Sequence, residues 1–181
     1  MSAAPGWRPG IRRADVASML RVDHAGEYGA TRIYAGQLAV LGDGQPASAL
    51  VSRMAAQERE HLARFDVLLA ARGVRPTVLQ PFWRVAGFAL GAATALISPQ
   101  AAMACTAAVE DEIDSHYSDQ LDGLGDDEPE LAADIARFQA DEREHRDIAI
   151  EAGAEDSFGY PLLYAAIRAG CRAAIELSKR I

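Results

Sequence analysis

The chain has 181 residues, of which 50% are hydrophobic and 24% charged, and its formal net charge is −8. This length is typical of one domain with a substantial core, so we expect a single domain over residues 1–181. The acidic balance argues against a nucleic-acid-binding protein, which needs a basic surface. Cys105 and Cys171 are isolated in sequence and predict neither a disulfide framework nor a zinc ribbon. We expect both cysteines to be reduced and buried.

Long segments rich in Ala, Leu, Glu, Arg and Gln, with little β-branched alternation, predict an all-α protein. The predicted helices cover residues 11–41, 47–71, 81–97, 100–123, 128–152 and 160–180. Glycine- and proline-rich turn signals separate these segments at 42–46, 73–76, 98–99, 123–129 and 159–161.

The tetrapeptide Glu-Arg-Glu-His occurs twice, and a further glutamate in a helical pattern precedes each copy by 31 or 32 residues. Each copy holds a Glu-x-x-His pair, whose two members share one face of a helix. Two single glutamates and two Glu-x-x-His pairs, spread over four helices, form the ligand set of a di-iron or di-manganese carboxylate bundle. One such unit comprises Glu27, Glu58 and His61, and the other comprises Glu110, Glu142 and His145.

These residues occupy the apolar stripe that faces the interior of a helical bundle. In the second predicted helix the stripe advances in steps of three and four residues, through Val51, Met54, Glu58, His61, Phe65 and Leu68. Four buried carboxylates need a counter-charge, and no lysine or arginine lies on the corresponding stripes. Two divalent cations would balance them and leave both histidines neutral as ligands.

A single Glu-x-x-His pair also occurs on exposed helix faces without a metal, but the duplication with matched glutamates favours metal binding. Mixed carboxylate and imidazole ligands suit iron or manganese better than structural zinc. Glu60 and Glu144 lie two residues after the first glutamate of each pair, so we expect them to be solvated on the opposite face.

From Val85 to Val109 the chain carries no charged residue. The turn at 98–99 interrupts this stretch, and its first run is shorter than the ~20 residues that a membrane-spanning helix needs. A helix lying in the membrane interface fits better. The last predicted helix mixes apolar and basic residues, which favours a lipid surface, namely Arg168, Arg172, Lys179 and Arg180. The alternative is an ordinary pair of capping helices or a protein–protein interface.

Seven segments carry a family signature, at residues 21–30, 33–37, 75–79, 87–91, 103–106, 109–110 and 141–145. Together they resemble the demethoxyubiquinone hydroxylases of ubiquinone biosynthesis, over about residues 13–181. The first ten residues hold neither a secretory signal nor a long amphipathic presequence, which indicates the bacterial form or an already processed chain.

The resemblance implies a ferritin-like four-helix bundle with two additional apolar or amphipathic helices. It implies an O2-dependent di-iron monooxygenase, 3-demethoxyubiquinol 3-hydroxylase, peripheral on the cytoplasmic face of a bacterial inner membrane. The substrate is then the ring of a polyprenylated 3-methyl-6-methoxy-1,4-benzoquinol, in the penultimate step of ubiquinone biosynthesis. The implied cofactor is two iron ions per chain, bound by Glu27, Glu58, His61, Glu110, Glu142 and His145, with Glu58 and Glu142 bridging. The implied partners are the lipid quinol, O2, the membrane surface, and either a lipid-presenting protein or a second copy of the chain.

Other residues near these ligands have less specific expectations. Tyr117 lies seven residues after Glu110, and we expect it to hydrogen-bond a ligand, position substrate or fill the core. His116 is expected to support the site from outside or to relay electrons. Asp23 is expected to orient a ligand histidine on the opposite helix. Three aromatic residues are expected to line a lipid-tail entrance, unless they serve packing or anchoring: Phe82, Trp83 and Phe88.

Three other functions fit parts of the sequence. A ferritin- or rubrerythrin-like bundle that oxidises iron or peroxide would favour a hydrophilic outer face or a Cys-rich iron centre, and neither is present. A non-catalytic membrane scaffold of the quinone pathway would need no metal. A radical-generating reductase subunit would need a tyrosine close to iron. No glycine-rich dinucleotide motif occurs, so the electron donor is open between a separate reductase, NADH and the quinol.

Overall fold

The computed structural model of the chain describes residues 15–180, which form six α-helices and one short 3₁₀ turn, Ala154–Asp156. The helices are α1 (Val16–Leu41), α2 (Pro46–Arg72), α3 (Gln80–Ile97), α4 (Pro99–Leu124), α5 (Pro129–Glu151) and α6 (Tyr160–Ser178). Their bounds agree with the predicted helices to within two residues, except at the start of the first. There Asp15 caps α1 by accepting a hydrogen bond from the Ser18 N–H, and the predicted helical residues 11–14 lie outside the described range.

The helix boundaries follow from local chemistry. Pro46, Pro99 and Pro129 each occupy the first helical position, where the missing N–H would have had no intrahelical partner. Ser98 ends α3 and also caps α4, because its hydroxyl accepts a hydrogen bond from the Ala101 N–H. The long apolar stretch is therefore divided into two helices at the predicted turn.

Four helices build the core. α1 packs against α2, and α4 against α5, each as a hairpin joined by a short turn. α3 crosses from α2 to α4 and lies along the outer side of α1, while α6 covers α4. The predicted ferritin-like arrangement, four bundle helices with two additional helices outside, is confirmed. The predicted burial of the cysteines is confirmed for Cys105, whereas Cys171 is half-buried, and both are free thiols.

Helix α3 lies unusually close to α1 because glycines form the contact. A Cβ atom at Gly91 would overlap the carbonyl oxygen of Ile33, and one at Gly36 would overlap that of Phe88. Only three residues of α3 are buried, and several of its large apolar side chains face outward: Phe82, Val85, Leu96 and Ile97. Among the described residues, no helix has both the length and the hydropathy needed to cross a bilayer.

Candidate metal centre

Six side chains from the four bundle helices meet in the middle of the core, and none is more than 3% exposed. Their ligand atoms form two overlapping groups, each spanning less than 4.8 Å. We call the first group the His61 position and the second the His145 position. Glu58 and Glu142 belong to both groups, which is the placement that bridging carboxylates require. The His61 position comprises Glu27, Glu58, His61 and Glu142, and the His145 position comprises Glu58, Glu110, Glu142 and His145.

The helix registers explain this convergence. All six members of the predicted stripe on α2 are buried, and the repeat on α5 is buried in the same way. Glu60 and Glu144 are exposed on the opposite faces, as predicted. Each hairpin thus delivers one glutamate from its first helix and a Glu-x-x-His pair from its second.

Both histidine rings have the same orientation relative to the carboxylates. The Nδ1 atom of His61 lies 3.2 Å from Oε1 of Glu142 and 3.5 Å from Oε2 of Glu27. The Nδ1 atom of His145 lies 3.1 Å from Oε1 of Glu58 and 3.3 Å from Oε2 of Glu142. In each ring Nδ1 therefore faces the centre and is the atom available to a cation.

Many polar atoms of this cluster are buried without a hydrogen-bond partner of acceptable geometry. Such atoms are costly inside a protein unless another ligand satisfies them. Oxygen and imidazole nitrogen atoms aimed at a common space are suitable donors for a divalent cation. The six residues therefore fit a metal site. The atoms are both carboxylate oxygens of Glu58 and of Glu142, Oε2 of Glu27 and Glu110, and Nδ1 of His61 and His145.

Without a cation, burial and neighbouring charges shift the pKa values of the residues in this cluster in different directions. Burial, reinforced by the neighbouring carboxylates, raises the pKa values of Glu58 and Glu110 well above their usual range. Burial alone would also raise the pKa of Glu142, but the adjacent imidazoles of His145 and His61 favour its ionised form and lower its pKa to about 2. Burial alone would lower the pKa of His61, but the adjacent carboxylates of Glu142 and Glu27 favour its protonated form and raise its pKa to about 10. The cluster thus retains protons that a bound cation would displace.

The outer nitrogen of each histidine has a partner on the opposite Glu-x-x-His helix. The Nε2 atom of His61 lies 3.0 Å from Oδ2 of Asp141, and that of His145 lies 3.0 Å from Oε1 of Gln57.

The expectation that Asp23 orients a ligand histidine is therefore wrong. Asp23 lies one turn before Glu27 on α1, and its carboxylate faces α4.

The actual partners of Asp23 lie on α4. Its Oδ1 atom accepts a hydrogen bond from Nε2 of Gln120 at 2.6 Å and lies 3.3 Å from Nε2 of His116. His116 is half-buried, and its polar partners are Asp23 and Gln120, neither of which is a candidate ligand. It also borders a polar surface pocket that includes Arg168 and Lys179.

Two tyrosines hold the single glutamates of the cluster. The hydroxyl of Tyr117 on α4 donates to Oε1 of Glu27 on α1, which matches one of the roles expected for Tyr117. The hydroxyl of Tyr34 on α1 donates to Oε1 of Glu110 on α4 at 2.5 Å. No such contact was expected of Tyr34 from the sequence. Its position seven residues after Glu27, which matches Tyr117 after Glu110, was the available signal.

An apolar pocket of about 480 Å³ lies beside the cluster, between α1, α3, α4 and α6. Its lining is formed by aliphatic residues, glycines, Cys171 and Trp83. Gly26 and Val109 in this lining directly precede Glu27 and Glu110. Of the three aromatic residues expected at a lipid-tail entrance, Trp83 is part of this lining. Two other aromatic residues lie outside the lining, Phe82 and Phe88.

Three of the four basic residues expected to favour a lipid surface, in α6 and directly after it, are paired with acidic side chains. Arg168 contacts Asp111 at 2.6 Å and Glu112 at 2.9 Å. Arg172 contacts Glu112 at 3.0 Å, and Lys179 pairs with its helical neighbour Glu176. Much of the positive charge of α6 therefore serves to attach this helix to α4.

The fold and the cluster together define a helical-bundle protein whose buried carboxylate–histidine cluster fits a metal site. A family model described as "Ubiquinone biosynthesis protein COQ7" matches residues 14–178. The chain belongs to this family.

Curated relatives support the assignment. A 3-demethoxyubiquinol 3-hydroxylase from Rhodospirillum rubrum is 56% identical over 162 residues, which cover 90% of this chain and 76% of the relative. A mitochondrial NADPH-dependent 3-demethoxyubiquinone 3-hydroxylase from Homo sapiens is 49% identical over 175 residues, covering 94% and 80%. A mitochondrial 5-demethoxyubiquinone hydroxylase from Saccharomyces cerevisiae is 40% identical over 179 residues, covering 90% and 77%.

Proposed function

We propose that this chain is a 3-demethoxyubiquinol 3-hydroxylase, which uses O2 to hydroxylate the ring of a polyprenylated demethoxyubiquinol in ubiquinone biosynthesis. The observation that carries the proposal is the pair of buried Glu/His groups that share Glu58 and Glu142, in a chain whose relatives bear this name. These relatives favour the hydroxylase over an iron- or peroxide-oxidising bundle and over a non-catalytic scaffold.

The proposed cofactor is two iron ions per chain, one at the His61 position and one at the His145 position. Two bound ferrous ions would supply the electrons and the open coordination that O2 activation needs. The ligands proposed are Glu27, Glu58, His61, Glu110, Glu142 and His145, with Glu58 and Glu142 shared. Four carboxylates neutralise two divalent ions, and carboxylate oxygen also stabilises the oxidised metal.

Tyr117 and Tyr34 have a positioning role in this proposal. Each hydroxyl donates a hydrogen bond to Oε1 of one glutamate, and the Oε2 atoms of Glu27 and Glu110 face the centre without such a partner. Each glutamate is thereby presented to its metal position through one oxygen. His116 directly precedes Tyr117, the centroids of the two rings lie 6.3 Å apart, and His116 lines a polar surface pocket. We propose it as the relay residue that links this surface to Tyr117.

The apolar pocket is the proposed site for the quinol ring and the first part of its tail. Its lining offers almost no polar group, which suits an isoprenoid and excludes water from the reaction. Through Gly26 and Val109 it lies alongside the two glutamates that the tyrosines hold. A ring in this pocket would therefore be adjacent to the metal positions.

The outward apolar residues of α3, together with Leu162 and Leu177 on α6, support peripheral attachment to a membrane. We place the enzyme on the cytoplasmic face of a bacterial inner membrane, where its lipid substrate resides. The same surface would accommodate a lipid-presenting protein or a second copy of the chain. Apolar contact carries this attachment, because most of the basic charge on α6 is paired.

The direct test is aerobic turnover of iron-reconstituted protein with a short-tailed demethoxyubiquinol and a chemical reductant, followed by mass spectrometry. Glu142→Ala should abolish formation of the product with one added oxygen atom. Glu144→Ala, which changes an exposed carboxylate on the same helix, should retain it. O2 consumption with iron turnover and no ring product would indicate the iron-oxidising class. A chain that takes up no iron would indicate the scaffold.

A further inference from the structure

The two histidines of the metal centre differ in the side chain that contacts Nε2, the ring nitrogen that faces away from the centre. At His61 the group is the carboxylate of Asp141, and at His145 it is the side-chain amide of Gln57. In both cases an oxygen lies 3.0 Å from Nε2. The geometry is matched, and the charge of the partner differs.

The duplicated sequence shows that these partners are equivalent positions. Gln57 directly precedes Glu58, and Asp141 directly precedes Glu142. Each partner reaches across to the histidine of the other repeat, so α2 supports the ligand of α5 and α5 supports the ligand of α2. At these two equivalent positions the halves of the centre share one geometry and differ in the charge of the partner.

This charge has a defined chemical effect. With Nδ1 facing the cation position, Nε2 carries the proton and donates it to the partner oxygen. A carboxylate acceptor makes this hydrogen bond charge-assisted and raises the electron density of the ring, so Nδ1 becomes the stronger ligand. A neutral amide oxygen fixes the same ring orientation with a smaller electronic effect.

We propose that Asp141 and Gln57 are positioning residues that make the two metal positions unequal, with the His61 position binding a divalent cation more tightly than the His145 position. The proposal rests on the metal centre of the proposed function and adds an order of filling to it. Partners of this kind change metal affinity about 10- to 100-fold when altered, so one charge is sufficient to set that order.

Both partners are accessible to conservative exchange. Asp141→Asn keeps an oxygen acceptor for Nε2 and removes the charge, and Gln57→Glu keeps the side-chain length and adds a charge. Both residues are half-buried at the rim of the bundle, outside the packed core. The matched controls are Glu144→Gln and Ala56→Glu, which change the same charges at exposed positions of the same helices.

The experiment is anomalous X-ray diffraction from full-length protein equilibrated with one equivalent of Mn²⁺, because the occupancy of each position is then read separately. We expect higher occupancy at the His61 position in the parent and in both controls. Asp141→Asn should lower the ratio of the occupancy at the His61 position to that at the His145 position about tenfold. Gln57→Glu should lower it independently, and the double variant should favour the His145 position.

A ratio that is unchanged in Asp141→Asn and Gln57→Glu, with Mn²⁺ bound at both positions, would overturn this inference and leave the metal centre intact. Absence of Mn²⁺ from both positions in every chain, even at saturating Mn²⁺, would overturn the inference together with the proposed function. If one variant fails to fold, the other still decides, because each exchange acts on a different histidine.

Discussion

The Tyr117 hydroxyl on α4 donates a hydrogen bond to Oε1 of Glu27 on α1. Tyr34 on α1 makes the reciprocal hydrogen bond to Glu110 on α4. In each half of the chain the tyrosine lies seven residues after the glutamate, so the duplicated unit supports its partner unit and not itself. Gln57 and Asp141 follow the same rule, because each contacts the histidine of the other repeat. The two halves of the centre are therefore built to depend on each other.

Removal of the Tyr117 hydroxyl should leave the Glu27 side chain less firmly positioned and should create no large cavity. Tyr117→Phe keeps the ring but leaves Oε1 of Glu27 buried without its donor, which typically costs about 1–3 kcal/mol. We expect a lower melting temperature and weaker binding of Fe²⁺ at the His61 position, measured by anaerobic titration. Tyr164→Phe removes a hydroxyl that binds Asp111 at the half-buried surface and should leave Fe²⁺ binding unchanged. Equal effects from both variants would contradict the role of Tyr117.

Stability of the metal-free protein should fall as the pH rises from about 6.5 to about 10. The pKa of His61 is raised from 6.5 to about 10, so the folded chain holds a proton that the unfolded chain releases. Its stabilisation is present below pH 6.5 and is lost as the pH passes through the folded value, at up to about 1.4 kcal/mol per pH unit. The raised pKa values of Glu58 and Glu110 act in the same direction.

Thermal melts across this range check the prediction. Excess Mn²⁺ should remove the decline, because the cation displaces the same protons and binds better as they leave. Glu144→Gln should preserve it, since that carboxylate is exposed. A pH-independent melting temperature in the metal-free protein would show that the cluster does not retain these protons.

Glu58→Gln should separate folding from metal binding. The raised pKa of Glu58 means that burial opposes its ionised form, and glutamine resembles the protonated form. We expect the metal-free variant to melt at the same or a higher temperature than the parent. The parent should gain about 2.7 kcal/mol at a hundredfold excess of cation over its dissociation constant, and the variant should lose most of this gain. A variant that is unfolded without metal would contradict this expectation.

Gly91→Ala should displace α3 while the metal positions persist. The added Cβ would overlap the Ile33 carbonyl oxygen, so the two helix backbones must separate, at a cost on the order of 1–3 kcal/mol. Because α3 forms one wall of the apolar pocket, turnover of the quinol should fall more than Fe²⁺ affinity does. Gly44→Ala is the control, because nothing lies within 4 Å of its added Cβ and the residue lies in the exposed turn between α1 and α2, outside the pocket lining. Its melting temperature should not fall.

The spacing of residues along each helix was sufficient to predict the helices and the inward stripes. Four polar residues occupy inward positions where a helical bundle usually has leucine: Glu58, His61, Glu142 and His145. That pattern can be read from the spacing within a single helix. The contacts between helices were not local. Asp23 was assigned to a histidine because both face inward, but the relative height of α1 and α4 brings it to Gln120. Helix rotation and height depend on packing across the whole core.

The partners of the histidines were missed for a related reason. Asp141 and Gln57 look like ordinary polar residues beside a motif, and only the crossing of α2 and α5 brings each to the other repeat. Tyr34 was visible as part of the stripe, but its hydrogen bond to Glu110 depends on the α1–α4 register. A comparison of the two repeats position by position would have paired Tyr34 with Tyr117.

The central claim is that Glu58 and Glu142 hold two adjacent iron ions between them. Diffraction from iron-saturated protein on both sides of the iron absorption edge tests it most directly, together with an iron count per chain. We predict two anomalous peaks in the core, one at the His61 position and one at the His145 position, with both glutamates contacting both peaks. A single peak, or iron bound only outside this cluster, would contradict the account.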